Sequence, residues 1–590
     1  MRVISTQKIF SHAANVHPFL PSYRSIFPKF AFCAALSLVL FSSFLSAQAQ
    51  TIPQSAEPGQ IEKRFEQKKE PKSVIKPIVP ERDDDVVPPD NADTIIFTLA
   101  RIILEGSTVY QETDVLPLYK NYIGKRISLR IIYNLTNAIT AKYRNDGYIL
   151  SRAILPPQKI EGGVVNIRII EGYINKVVID SQGYEVPKLI HAYRAKIEQS
   201  RPLHSSDLER YLLFIRDLPG FYAESVLRPD KAVPGASELV IQLRYRPVNA
   251  ALNVNNRGTL FVGPLQITAF AGLNSFWGWG ERTTAQFVTG SPESDQARRE
   301  LTYVALNHQQ PISDEGTQFS INFNYTDSEP GFTLRALNVE SSAVRFAIGL
   351  THPIIRSRAQ NLFVTSQFSF INTKTDLLSA RLAEDRIRSL QFSAHYDFVD
   401  RFRAITSFEL MIAKGLEILN HSDQASSTLS RAGGHSDFTK VRGELSRLQP
   451  LINRVNIFFA GKAQYAAVPL LSPEEFAVGG AFMGRGYDPS EITGDHGMAG
   501  ILELQYGNTT ALPVLRDMQL YGFYDLGVVY QVENSNKASV SSAGGGIRAN
   551  FTDWFSGYIE VAQPLTRRVT TQVTGDGKDP RVFFSLAIRY

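Results

Sequence analysis

From about Ala250 to Tyr590 the chain is written in period two. Phe319, Ile321, Phe323 and Tyr325 interleave with Ser320, Asn322, Asn324 and Thr326. Leu390, Phe392, Ala394, Tyr396 and Phe398 interleave with Ser389, Gln391, Ser393, His395 and Asp397, and the final segment sets Val582, Phe584, Leu586, Ile588 and Tyr590 against Arg581, Ser585 and Arg589. Successive side chains of a strand point to opposite faces, so each segment carries one apolar and one polar face. About sixteen such segments can be drawn, each near the ten residues that a tilted strand needs to cross a bilayer. Short turns such as His308 to Gly316 alternate with longer polar loops such as Gly415 to Asp437.

Two architectures can bury those apolar faces. Soluble sandwiches would divide this length into repeats of about a hundred residues with linkers between them. The sequence has no such linkers. A closed barrel pairs every backbone group and leaves no edge, which is what hydrocarbon requires. The expected fold over residues 248–590 is therefore an all-β transmembrane barrel of about sixteen antiparallel strands.

Upstream, two small α+β units are expected over 96–174 and 175–247. In the first, "FTLARIILEG" reads as a strand, and Leu129, Ile132, Leu135, Ile139 and Tyr143 stand at helical spacing ahead of a helix-ending Gly147. "VVNIRIIEGYINKVVI" supplies strands around a turn at Glu171-Gly172. In the second, Ser206 and Glu209 have capping-box spacing, Leu208, Tyr211, Leu212 and Ile215 share a face, and "ELVIQLRYR" is a strand.

The first 49 residues read as an export signal. Arg2, Lys8, Arg24 and Lys29 precede the apolar run Ala31 to Leu45, and Ala47 and Ala49 occupy the small-residue positions of a cleavage site. That run is about fifteen residues, short of the roughly twenty that a spanning helix needs. The single cysteine, Cys33, lies inside it, so the exported chain would have no thiol chemistry. Residues 50–95 are rich in proline around Asp83-Asp84-Asp85 and read as a linker. Within it "EPGQIEKRFEQKKE", Glu57 to Glu70, reads equally as a short helix, with Pro58 near its start and helix formers from Gln60 onward, or as a charged disordered tail.

The 62 Lys and Arg nearly balance the 57 Asp and Glu, so no basic patch points to nucleic acid. The ten histidines show no metal spacing, and neither Asp495-His496 nor "SAGGGI", Ser542 to Ile547, has the context of a catalytic or phosphate site. No metal, cofactor or catalytic residue is assigned, and an enzyme is not expected.

Signal, linker, two α+β units and a barrel together resemble the two-partner secretion transporters, the haemolysin-activator or filamentous-haemagglutinin-transporter (TpsB) family, in which the small units are POTRA domains. Two local motifs carry the resemblance. "GRGY", Gly484-Arg485-Gly486-Tyr487, resembles the family's arginine-glycine-aromatic loop signature, with Gly484 where valine is common, and "FYDLG", with Phe523, Asp525 and Gly527, matches an F-x-D-x-G strand motif. Tyr590 resembles the terminal aromatic residue that bacterial barrels present to their assembly machinery.

Parity supports the second motif independently. Met518, Leu520, Tyr524, Leu526, Val528 and Tyr530 share one face of "DMQLYGFYDLGVVY", which lipid should claim, so Asp525 points into the lumen with Gln519 and Phe523. An arginine carried into that lumen needs a carboxylate, because an unpaired desolvated charge is costly. The loop 469–498 is therefore expected to fold inward, with Arg485 paired to Asp525. The resemblance further implies an outer-membrane transporter that binds an unfolded TpsA-type exoprotein in the periplasm, and a plug helix carrying Gln60, Ile61, Arg64 and Phe65. Barrel assembly machinery and outer-membrane lipid are its other expected partners. A barrel-assembly factor and a passive porin are the rival readings. The former usually carries more α+β units, and the latter needs neither those units nor an inserted arginine loop.

Overall fold

The structure is a computed structural model that describes residues 52–65, 86–230, 232–292, 299–512, 515–533 and 536–590. The expected export signal over 1–49 and the run 66–85 of the expected linker lie outside the described residues.

Sixteen strands form one closed antiparallel barrel. The first is Val248–Asn255, each successive strand pairs with its neighbour, and the last, Arg581–Arg589, pairs back to the first. The face alternation read from the sequence is the burial pattern of the wall. Leu502, Leu504 and Tyr506 are exposed while Glu503 and Gln505 between them are buried, and Leu520, Tyr524 and Leu526 are exposed beside buried Tyr521, Phe523 and Asp525. Strand length is uneven around the wall. Val339–Arg356, Gln360–Leu377 and Ala380–Val399 run for 18, 18 and 20 residues, whereas the two strands that close the barrel have 8 and 9. The turn expected from His308 is narrower, because Leu301–Pro311 stays in the sheet and the chain reverses over 312–317.

The first α+β unit pairs Arg101–Glu105 in parallel with Val164–Ile170, with Arg152–Ile154 at the sheet edge. Helix Leu129–Asn145 covers it and buries Ile132, Leu135, Ile139 and Tyr143, and Gly147 follows with φ +96. The single strand expected over "FTLARIILEG" is in fact two. Ile96–Thr98 pairs with Arg126–Ser128, and the chain changes partners where Leu99 N donates to Lys125 O and Ala100 N to Gly163 O. In the second unit Tyr173–Asp180 runs parallel to Ala236–Tyr245, and Phe221–Pro229 forms the edge. Helices Lys188–Gln199 and Ser205–Asp217 close its core around Ile190, Ile197, Leu212 and Ile215.

The capping box expected from Ser206 and Glu209 does not form. His204 is the N-cap, its Nδ1 accepting from Ser206 N at 3.3 Å, and the Glu209 carboxylate instead accepts from Arg358 N on a barrel turn. Glu209 therefore docks the second unit rather than starting its helix.

That docking is a cluster of ion pairs on the barrel's turns. Asp217 accepts two bonds from Arg356, at 2.7 and 2.9 Å, while the remaining arm of Arg356 reaches Asn361 Oδ1 at 2.6 Å. Lys196 meets Glu315 at 2.8 Å and Tyr211 donates to the same carboxylate at 3.3 Å. The Lys196 hydrogen bond holds Glu315 below the ordinary carboxylate range. A depressed carboxylate stabilises the contact above the unfolded pKa and releases it as pH falls through the folded one, so this contact weakens in acid. Arg356→Ala removes the two-pronged partner of Asp217 and should weaken docking by about 3 kcal/mol. Spin-label distances between the second unit and the barrel should broaden in that variant, and an unaltered distribution would count against the clamp.

Candidate functional site: an arginine-tipped hairpin and a helix inside the barrel

Between strands Val455–Ala466 and His496–Leu512 the chain folds inward as a hairpin. A short ribbon, Phe476–Val478 paired with Ile492–Gly494, stiffens it, and Phe476, Val478, Met483, Tyr487 and Ile492 pack as one apolar cluster against Ala499, Ile501 and Val529 of the wall. The tip reaches the inner face of Leu515–Tyr530. There Arg485 is 3% exposed and Asp525 0%. Arg485 Nε donates to Asp525 Oδ2 at 3.1 Å and Nη2 to Oδ1 at 2.9 Å, while the backbone N of Gly484 and of Arg485 donate to Oδ2 at 3.1 and 2.8 Å. One carboxylate thus takes four donors from the tip, the planar fork that arginine matches and lysine does not.

Each position of the strand motif has its own steric reason. The Phe523 ring lies 3.5 Å under the guanidinium carbon of Arg485, a cation–π contact inside a desolvated lumen. A Cβ at Gly527 would meet Val478 Cγ1 at 2.5 Å, so that glycine makes room for the hairpin ribbon. Gly484 adopts φ +82, which turns its N–H toward Asp525, and a Cβ on Gly486 would stand 2.9 Å from Pro564 N. Tyr487 is buried and donates to Ser541 O at 3.0 Å, while its oxygen accepts from Thr566 N and Arg567 N.

Four charged residues that the sequence reading did not single out complete the cluster. Glu503 Oε2 accepts from Arg485 Nη1 at 2.6 Å and is held by two bonds from Arg548, at 2.6 and 3.1 Å. Glu560 lies 3.6 Å from Arg485 Nη1, pairs with Arg257, and accepts from Tyr521 at 2.8 Å. Three cations, Arg257, Arg485 and Arg548, balance three carboxylates, Glu503, Asp525 and Glu560. The lumen tolerates the charges because they neutralise one another and are hydrogen-bonded throughout.

The base of the hairpin is gripped separately. Asp495 accepts from Arg431 at 2.5 Å, from Leu470 N at 2.7 Å and from Val532 N at 2.8 Å, so it ties three extracellular-side segments together. His496 accepts from Ala466 N and stacks on Tyr465. Lys440 on the wall is buried with Glu474 of the hairpin as an ion pair.

The helix Pro58–Phe65 also lies in the lumen, against the inner faces of Gln318–Ser328, Val339–Arg356 and Gln360–Leu377 and against the hairpin turn Ser472–Glu474. Ile61 is fully buried, and Phe65 packs on Tyr303 with centroids 4.8 Å apart. Glu62 pairs with Arg345 at 2.9 Å and accepts from Asn324 at 3.0 Å. Gln60 donates to Ser472 O, Lys63 to Glu475 O at 2.8 Å, and Arg64 to Ser55 O. Hairpin and helix therefore share one seat. Tyr590, whose N and O bond Ala250, is exposed at the end of the last strand.

Comparison with known proteins places this geometry. Residues 235–549 match the family model "Haemolysin secretion/activation protein ShlB/FhaC/HecB", and residues 97–172 match the ShlB-type POTRA domain. The heme/hemopexin transporter protein HuxB of Haemophilus influenzae (strain 86-028NP) is 25% identical over 488 residues, covering 80% of this chain and 84% of its own. The outer membrane transporter CdiB of Dickeya dadantii (strain 3937) is 21% identical over 478 residues, covering 80% and 83%. In fold the chain resembles the solved CdiB of Escherichia coli, with TM-score 0.71 at 18% identity over 96% of this chain and all of that one. The CdiB of Acinetobacter baumannii gives 0.63 at 17%, with coverage of 96% and 100%. The family is one of transporters rather than enzymes, and its members transport TpsA-type exoproteins. With a sixteen-strand barrel and a POTRA domain already in place, the chain belongs to the ShlB/FhaC/HecB family of haemolysin secretion/activation proteins, as a two-partner secretion transporter of the outer membrane whose POTRA domains stand in the periplasm.

Proposed function

We propose that the protein captures an unfolded TpsA-type exoprotein in the periplasm through the edges of its POTRA domains and secretes it through the barrel lumen, from which the helix withdraws while Arg485 keeps the hairpin tip on the wall. The observation that carries the reading is what fills the pore. The eight-residue helix is held in the lumen by polar side-chain contacts and apolar packing, with no strand ladder to the wall. Such contacts exchange for others at small net cost, whereas a ladder would have to be unzipped. Folding of the exoprotein outside draws an extended chain outward by mass action, so no ATP is required.

Two strands at sheet margins are candidate docking edges, Arg152–Ile154 with three residues and Phe221–Pro229 with nine. The longer one suits an extended chain added as a strand. Its Tyr222 and Val226 are exposed, and its first residues line a cavity of about 390 Å³ with Arg216, Arg244 and Arg358 beside the barrel turn. A photo-crosslinking residue at Val226 should capture the exoprotein during export far more than one at Arg152. Equal or reversed capture would assign docking elsewhere. The C-terminal strand is the expected handle for barrel assembly machinery, and the exposed apolar face the expected contact with outer-membrane lipid.

A further inference from the structure

The barrel closes where its ladder is thinnest. Arg581–Arg589 and Val248–Asn255 share five register pairs, from Ser585 with Asn255 to Arg589 with Ala251, whereas the strands Gln360–Leu377 and Ala380–Val399 share a full-length ladder. The last strand continues past the end of the first, so Arg581 to Phe584 have no strand partner on that side. Side chains take over there. Asn256 accepts from Phe584 N at 2.8 Å and donates to Val582 O at 2.9 Å, and its own N–H reaches Phe584 O at 3.4 Å.

Beyond Asn256 the hairpin tip fills the gap. Arg257, just after the first strand, stacks its guanidinium 3.8 Å over the Phe583 ring, pairs with Glu560 and donates to Arg485 O at 3.4 Å. Arg581, the first residue of the last strand, donates to Gly486 O at 3.3 Å and pairs with Asp488 at 2.8 Å, with its guanidinium 5.0 Å from the same ring. Asp488 is fully buried and also accepts from Thr571 Oγ1 at 2.6 Å. Consecutive tip residues, Arg485 and Gly486, thus offer their carbonyls to the two strands that close the barrel, one to each.

We infer that the hairpin tip is a staple across the barrel seam, with Arg257 and Arg581 as the positioning residues that couple hairpin seating to seam closure. The lock of Arg485 on Asp525 fixes the tip in depth. The two outer arginines transfer that fixed point to the seam, where the backbone ladder has run out. A hairpin that leaves the lumen takes both anchors with it and leaves the extracellular half of the seam held by Asn256. This coupling belongs to the resting barrel and does not depend on how an exoprotein is bound.

Amide hydrogen exchange on the full-length protein in detergent, with no exoprotein present, tests it. Arg257→Gln combined with Arg581→Gln should speed exchange over 248–255 and 581–589 by about tenfold while 360–377 keeps its wild-type rate. Asp488→Asn alters neither seam strand and removes the charge that pairs with Arg581, so it should raise exchange at 581–584 by about threefold. Unchanged seam exchange in either variant, or an equal rise in every strand, overturns the staple. If the double variant does not assemble, Asp488→Asn alone carries the decision.

Discussion

Arg485→Ala should abolish export while the barrel still assembles. Arg485 spends Nε and Nη2 on Asp525 and Nη1 on Glu503, all three side chains being nearly or fully buried. Removing it leaves three buried carboxylates against two cations, and Asp525 retains only the two backbone donors of the tip. Breaking a buried pair by deleting one partner costs roughly 3 to 5 kcal/mol, because the remaining charge is uncompensated. A loss of that size at the tip should unseat the hairpin. The barrel should still form, because its other strand junctions carry their own ladders and the closing junction keeps five register pairs without the tip. The expected readout is a heat-modifiable barrel band at wild-type level, protease cleavage within 479–490, and no secreted exoprotein. Arg485→Lys should recover little, since an ammonium cannot make the two-pronged contact. Asp525→Asn should be milder, because Arg485 keeps Glu503 and the amide oxygen still accepts from the tip backbone. Normal secretion by Arg485→Ala would remove the lock from the mechanism.

The barrel was readable because lipid imposes a rule on every strand. Outward positions must be apolar wherever hydrocarbon touches them, so alternation survives in segments as different as "SINFNYT" and "RVFFSLAIRY". Parity alone put Asp525 in the lumen, and applied to "GILELQY" and "GYIEVAQ" it would equally have marked Glu503 and Glu560. It could not have said which lumenal charges meet. Convergence depends on register across the strands from His496 to Pro564 and on how deep the hairpin reaches, and neither is written locally. Arg257 carried no signal at all, since it follows the first strand and acts only because the last strand overruns it. Glu209 shows the opposite failure: its spacing from Ser206 suited a capping box, and a tertiary partner on the barrel outcompeted that local use.

Deleting residues 53–65 should open the pore to ions. An eight-residue helix does not hold together by itself in water, so Pro58–Phe65 is helical because the lumen supplies its partners. Those partners are specific. Glu62 joins Arg345 and Asn324 of the wall, Gln60 and Lys63 reach carbonyls of the hairpin base, and Gly59 approaches so closely that a Cβ would stand 2.7 Å from Pro473. Single-channel conductance in planar bilayers should rise several-fold in the deletion variant, because the cross-section that the helix occupies becomes water. Gly59→Val should give part of the same increase without shortening the chain, since the added methyls cannot be seated against Pro473 and the helix must lift from the hairpin. Glu62→Gln should lie between wild type and the deletion: it keeps an acceptor for Asn324 and loses the charge that balances Arg345. If the deletion left conductance at the resting level, the hairpin alone would be closing the channel, and the helix would serve only to brace Ser472–Glu474 against the wall.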